Sequence, residues 1–380
     1  MDATRLVILG TEHSPQLVAE SYQPAVFRAF FARVQPQVVC IEQPPDAFVR
    51  GDFRYGEHAY ERQHIALPWA RQRGLPVYPV DWVLPEGDDQ RLVWGVPDIE
   101  APPFLRSWGY VRSFKRFPKE MLDLDLFFAE SEAASRRVAA WYDQPRQPGD
   151  RDFARRLGLY RTFLQAMRIK AVARQHPGET ILVVIGYFHK GDIEGVLAGT
   201  PGIELVQPSV FGQPTAEEIE AEVLPTDLLA ILSFNLLGVQ AKDGPVNWEW
   251  MERSLRRLEA DAVTAETLLL HTRLAVLRSE VNATEAIRLY EQVRAMPAAA
   301  IPFTYDGVAD RSRVDSYYDP FGNLSVANRA LLEIARECRT LGQTDATQQI
   351  LAELSAAGGL RELQRHQLAA YWDEFVVQMR

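Results

Sequence analysis

The chain has 380 residues, 47% of them hydrophobic and 24% charged, with a net charge of −10 at pH 7. That length favours two domains over one core, and the apolar content excludes a disordered chain. The acidic balance argues against non-specific binding to nucleic acid or to an anionic membrane, which needs clustered Lys and Arg.

The pattern up to about residue 212 alternates strand and helix. "RLVILG" (Arg5 to Gly10) is an apolar run suited to a strand buried on both faces. "PAVFRAFFARVQP" (Pro24 to Pro36) has helical spacing, with Val26, Phe30 and Val34 on one stripe and a proline at each end. "QVVCIE" is a second strand, with Cys40 as a small buried hydrophobe. "HAYERQHIALPWARQRG" (His58 to Gly74) is helical, with Pro68 expected to kink or break it; His58 and His64 are expected on its surface. "PVYPVD" is a short third strand. Residues 83–150, rich in Pro, Trp and Phe, interrupt the rhythm and read as an insertion. "RTFLQAMRIKAVARQHPG" (Arg161 to Gly178) is a helix feeding the strand "TILVVIG", and "IELVQPSV" is a last strand. The expected fold is α/β: a mostly parallel sheet with flanking helices and a helical insertion.

After residue 212 the strands stop, so the expected domains are 1–212 and 213–380. "LLAILSFNLLGV" (Leu228 to Val239) is too short to cross a membrane and reads as a buried helix. "AETLLLHTRLAVLRSE" with "ATEAIRLYEQVRAMP", and "NRALLEIARECRTLGQ" with "DATQQILAELSAA", read as helical hairpins. Ala286, Tyr290 and Pro297 match the second helix of a tetratricopeptide repeat, so the C-terminal half is expected to be a helical array, TPR-like at most. The two cysteines, Cys40 and Cys338, form no disulfide framework and no C-x-x-C motif. The chain enters its first strand without a signal-peptide pattern, so the expectation is a cytoplasmic protein without membrane insertion.

In an open parallel sheet, ligands bind beyond the carboxyl ends of the strands. There the first strand delivers His13, the second Glu42, the third Asp81 and the strand "ILVVIG" His189. Both histidines follow a glycine at the same offset, in "LGTEHS" and "IGYFHKG". The glycines are expected to let the backbone turn where a Cβ would obstruct. If the two strands are neighbours, the imidazoles converge. Two histidines and a carboxylate make a divalent metal site with an open position; the same groups without metal perform acid–base chemistry. Asp81 has a plainer reading as the cap of the next segment.

At these residues the sequence resembles the TraB, Tiki and ChaN-like superfamily, which includes erythromycin esterase-type enzymes. The resemblance rests on "LGTEHS", "QPQVVCIEQP" and "VIGYFHKGDIEGVL", and spans roughly residues 5–210 without the insertion. It implies that His13, Glu42 and His189 are metal or active-site positions, with Arg161 a further polar position on the preceding helix. It implies a metal-dependent peptidase, an esterase, a haem-binding protein or a regulator of peptide signalling.

Two functions follow as expectations. The first is a hydrolase for a peptide or ester bond, with a divalent transition metal on His13 and His189 and with Glu42 as third ligand or general base. The second is a non-catalytic protein whose crevice holds haem, a peptide or another small ligand. In both, the helical half is the surface for a protein or peptide partner.

Overall fold

The structure is a computed structural model that describes residues 3–51, 59–83, 116–143, 153–300, 313–316, 319–357 and 360–378. His58, most of the expected insertion and most of the segment Ile301 to Asn323 lie outside the described residues. The chain divides into two compact units, Met1–Pro97 with Asp123–Val223, and Asp98–Leu122 with Leu224–Arg380.

The first unit is α/β. Its strands are β1 (Thr4–Thr11), β2 (Val38–Ile41), β3 (Val77–Pro79), β4 (Thr180–Gly186) and β5 (Ile203–Val206). They form one sheet in the order β3-β2-β4-β1-β5, and every pairing is parallel. The helices are α1 (Pro24–Val34), α2 (Pro45–Arg50), α3 (Leu67–Gln72), α4 (Glu132–Tyr142), α5 (Phe153–Gln175), α6 (Tyr187–Leu197) and α7 (Ala216–Ala221).

The apolar runs become strands because both faces of the sheet are covered. On one face Leu6, Ile8, Val38, Cys40, Ile181, Val183 and Ile185 pack with Ile169, Val172 and Ala173 of α5 and with Ile193 and Leu197 of α6. The alternate residues Val7, Leu9, Val39, Ile41, Leu182 and Val184 point the other way and are equally buried. Phe27, Phe30 and Phe31 of α1 are fully buried, and the Phe31 ring meets Trp69 of α3 edge-on at 5.4 Å.

Pro68 does not break its helix. A π-helical segment, Glu61–Ala66, runs directly into α3, and Pro68 falls in the first turn of α3. There a missing N–H is tolerated, and the wider π turn before it leaves room for the ring. At the other end of the unit, α7 is bound to α1. Arg33 pairs with Glu218, and Arg28 donates to the Glu222 carbonyl oxygen at 2.9 and 3.1 Å. The first unit therefore runs on to Val223.

Among the described residues the second unit is helical. It contains α8 (Pro225–Leu232), α9 (Gln240–Asp243), α10 (Trp248–Asp261), α11 (Ala265–Leu277), α12 (Ala283–Ala295), α13 (Val326–Thr340), α14 (Thr344–Ala357) and α15 (Glu362–Trp372). The two expected hairpins are α11 with α12 and α13 with α14. Leu228 to Leu232 are buried in α8, and Ala286 and Tyr290 are fully buried in α12. The unit also buries charge. Arg329 donates to both Asp319 oxygens at 2.8 and 2.9 Å, to Glu333 at 3.1 Å and to the Leu237 carbonyl at 2.6 Å. Arg273 and Arg336 approach the second Glu333 oxygen at 3.5 and 3.4 Å. Among the described residues no helix is long and apolar enough to cross a membrane.

Candidate functional site

Strand register assembles the site. Thr11 at the end of β1 lies beside Gly186 at the end of β4, and Ile41 at the end of β2 lies beside Val184. β4 is thus the neighbour of both strands, and the next residues of all three emerge at one edge. The third strand joins through backbone bonds from Val80 N to Ile41 O and from Asp81 N to Gln43 O. His13, Glu42, Asp81 and His189 meet in this way, and α5 lays Arg161, Thr162 and Gln165 across them.

Glu42 is the centre. It is 6% exposed, and both its oxygens are held. Oε1 accepts from Arg161 Nη2 at 2.7 Å; Oε2 accepts from the Gly186 backbone N–H. His189 Nε2 stands 3.6 Å from Oε1, an ion-pair distance rather than a hydrogen bond. Arg62 donates to the Glu42 carbonyl oxygen. Burial alone would push the carboxyl up. His189, Arg161 and His13 outweigh it and hold Glu42 well below the usual carboxylate range.

Asp81 is wholly buried and is not a simple cap. It accepts from Arg161 Nε and Nη2 and from Gln165 Nε2, each at 2.7 Å, and also from the Trp82 N–H at 2.8 Å. Arg161 is therefore clamped between two carboxylates. Asp81 acts on the site through this arginine, whose planar fork it fixes.

The two imidazoles are each anchored through Nδ1. His13 Nδ1 lies 2.7 Å from Glu61 Oε1, and His189 Nδ1 lies 2.7 Å from Thr162 Oγ1. Burial pulls the His13 pKa down, but the Glu61 charge and hydrogen bond, with Glu42 and Glu12 behind them, raise it overall. Glu61 is 2% exposed, and among the described residues no donor reaches its Oε2.

The glycines serve close approach rather than a turn. Gly186 has φ −54°, and neither Gly10 nor Gly186 is left-handed. A Cβ on Gly186 would lie 3.1 Å from Glu42 Oε2 and 3.3 Å from His13 Nε2. A Cβ on Gly10 would lie 2.7 Å from the Ala129 Cβ. The repeated spacing thus has two different causes: Gly186 admits the two site side chains, and Gly10 admits the segment before α4. His64 also departs from expectation. It is half-buried and stacks on Tyr60 with ring centroids 4.6 Å apart, and burial pushes its pKa down to about 4.

Glu61, Thr162 and Gln165 were not expected at the site. Their signal is positional. Glu61 stands four and eight residues before buried Ile65 and Trp69. Thr162 and Gln165 fall on the stripe that continues as Ala166, Ile169 and Val172. A polar residue on a buried stripe needs a partner.

The donor set suits a metal in part. Two imidazoles with anchored Nδ1 and Nε2 turned toward one carboxylate are the usual form of histidine ligands. Glu42, however, already has both oxygens engaged, one of them by a guanidinium. Among the described residues no group of three or more His, Cys, Asp or Glu is arranged to hold a metal ion. No family model, no curated protein and no solved structure matches the chain.

Proposed function

We propose that this cluster is the active centre of a hydrolase for a peptide or ester bond. The observation that carries the reading is the convergence of His13 and His189 on Glu42, each imidazole held by its Nδ1 and presenting Nε2. A histidine backed by a buried carboxylate is the arrangement of a general base, because the carboxylate fixes the tautomer and stabilises the imidazolium that forms. His13 with Glu61 takes the proton of the attacking water. His189, oriented by Thr162, returns a proton to the leaving group. Glu42, kept ionised by Arg161, stabilises positive charge on either ring. Glu61 Oε2, which no donor among the described residues reaches, is a further acceptor at the site. The resemblance of "LGTEHS", "VVCIEQP" and "VIGYFHKG" to the TraB, Tiki and ChaN-like superfamily supports the same reading.

A divalent transition metal would be the other use of the same atoms: His13 and His189 would hold it through Nε2, and in that form the rings would be ligands rather than proton carriers. Bound there, it would lower the pKa of a water and polarise the substrate carbonyl. Glu42 joins as a ligand only by exchanging Arg161 or the Gly186 amide. The helical unit is the proposed surface for a protein or peptide partner.

The test is turnover of a panel of fluorogenic peptides and chromogenic esters, with and without added Zn²⁺ or Mn²⁺. Wild type should hydrolyse at least one class, and His13→Ala and His189→Ala should each lose about 10²–10⁴-fold. Wild type without turnover but with saturable, His13-dependent binding of haem or peptide would replace the enzyme by a ligand-binding protein.

A further inference from the structure

An open cleft of about 550 Å³ lies between α4 and α6, and no side chain of the Glu42 cluster lines it. It exists because α4 presents small side chains, Ala134, Ser135 and Ala139, where larger ones would close the gap. Its volume lies in the range of small-ligand sites, about 300–1,000 Å³. Tyr142, Tyr187 and Phe188 line it, and Trp141 packs edge-on against Phe188 at 5.4 Å.

The charges in the wall are unbalanced. Lys190 is buried, and its ammonium is consumed by Glu194 and by Gln207 Oε1 at 2.8 Å. Arg137 approaches the Tyr187 hydroxyl. Among the described residues, two further carboxylates, Asp192 and Glu130, have only neutral donors. Asp192 Oδ2 accepts from Tyr142 OH at 3.1 Å, and Glu130 accepts from the Ser209 hydroxyl and from its N–H at 3.0 Å. Aromatic faces beside a carboxylate that lacks a counter-ion attract a cation by charge and by the ring quadrupole.

We infer that this cavity is a binding site for a small organic cation, an ammonium or guanidinium carried on an aromatic or apolar body. Asp192 receives the charged head, and the rings of Tyr142, Tyr187 and Phe188 cover the body. The site stands independently of the hydrolytic reading, since none of these residues belongs to the Glu42 cluster.

Benzylamine and benzamidine are the probes, with benzyl alcohol as the neutral control. Binding to the full chain is followed by calorimetry and by Trp fluorescence. Both cations should bind saturably and at least 10-fold more tightly than the alcohol. Asp192→Asn keeps the Tyr142 hydrogen bond and should weaken the cations about 10-fold or more, the loss of one charge-assisted contact. Ala139→Phe fills the space and should abolish binding of all three; Ser135→Leu fills it from the next turn and serves if Ala139→Phe does not fold. Circular dichroism and melting establish folding. Equal binding of alcohol and amine, cation binding unchanged in Asp192→Asn, or no binding at 20 mM, about the weakest useful affinity, would overturn the proposal.

Discussion

His13 and Glu61 form a partly buried hydrogen-bonded pair, 2.7 Å apart between Nδ1 and Oε1, although one residue follows a strand and the other opens a π-helical segment. The pair gives the site a proton acceptor stronger than free imidazole.

Replacing Glu61 with Gln should lower the His13 pKa, read by NMR titration of the ring. If His13 is the base, the acid limb of the pH–rate profile should move to lower pH and the plateau should fall. The effect on stability has the opposite dependence from that of a carboxylate. A raised histidine pKa contributes stability that is complete below the unfolded value of about 6.5 and is lost as pH rises through the folded value. The melting difference between wild type and Glu61→Gln should therefore be largest in acid and shrink above neutrality. A difference that grows with pH would contradict the pairing.

Gly186→Ala places a methyl against Glu42 and His13. The chain should remain folded, with a loss of about 1–3 kcal/mol typical of overpacking, while activity or ligand binding at the site falls steeply. Gly191→Ala, within α6, meets nothing within 4 Å and is the control. Denaturant melts and turnover on both variants decide the matter; equal behaviour of the two would remove the crowding argument.

Glu42→Gln retains size and one acceptor but leaves Arg161 with Asp81 alone. Removing one member of a buried ion cluster costs about 3–5 kcal/mol. The variant should melt earlier at neutral pH, and the difference should narrow as pH falls, since the folded pKa of Glu42 is depressed and its contribution is complete above about 4.3 and lost as pH falls on through the folded value. Turnover should fall about 10²–10⁴-fold. Native stability with native activity would take Glu42 out of the site.

Metal is measured directly. Protein purified without chelator or polyhistidine tag should carry a divalent transition metal by elemental analysis, and His13→Ala or His189→Ala should lose it. Retention should weaken in acid, where imidazole is protonated. Metal unchanged in both variants would take the ion away from these two rings and leave only their acid–base role.

The helical unit offers a separate pH test. Glu333 is wholly buried; burial raises its pKa, but Arg336, Arg273 and Arg329 together lower it to about 2. Its contribution is therefore present above about 4.3 and fades as pH falls toward 2. Glu333→Gln should be destabilised by about 3–5 kcal/mol at pH 7, with a gap to wild type that closes in acid.

Much of the first unit was legible because its strands are continuous apolar runs, and because Glu42, His13 and His189 stand where those runs stop. The pairing of β1 with β4 was not legible: the two are far apart in sequence, and only the register puts Thr11 beside Gly186. Glu61 was hidden inside an amphipathic segment whose π turn shifts its facing, and His64 was misplaced for the same reason. Arg161 was expected from a resemblance, but its grip on Asp81 depends on how α5 crosses the sheet. Asp81 ends a strand only three residues long, too short for any pattern to distinguish a buried anchor from a cap.

The strand order also has a temporal side. β4 occupies the centre of the sheet, yet 176 residues separate its start at Thr180 from that of β1 at Thr4. At ordinary rates of translation, about 5–20 residues per second, roughly 10–35 s pass between the two. During that time β1 has neither of its final neighbours, because β4 and β5 both come late, and β2 can pair only with β3. The nascent chain therefore carries β1 as an unpaired apolar segment until β4 and β5 are made. Any truncation before β4 leaves β2 with β3 on one side and β1 with no partner on the other, without the strand that joins them.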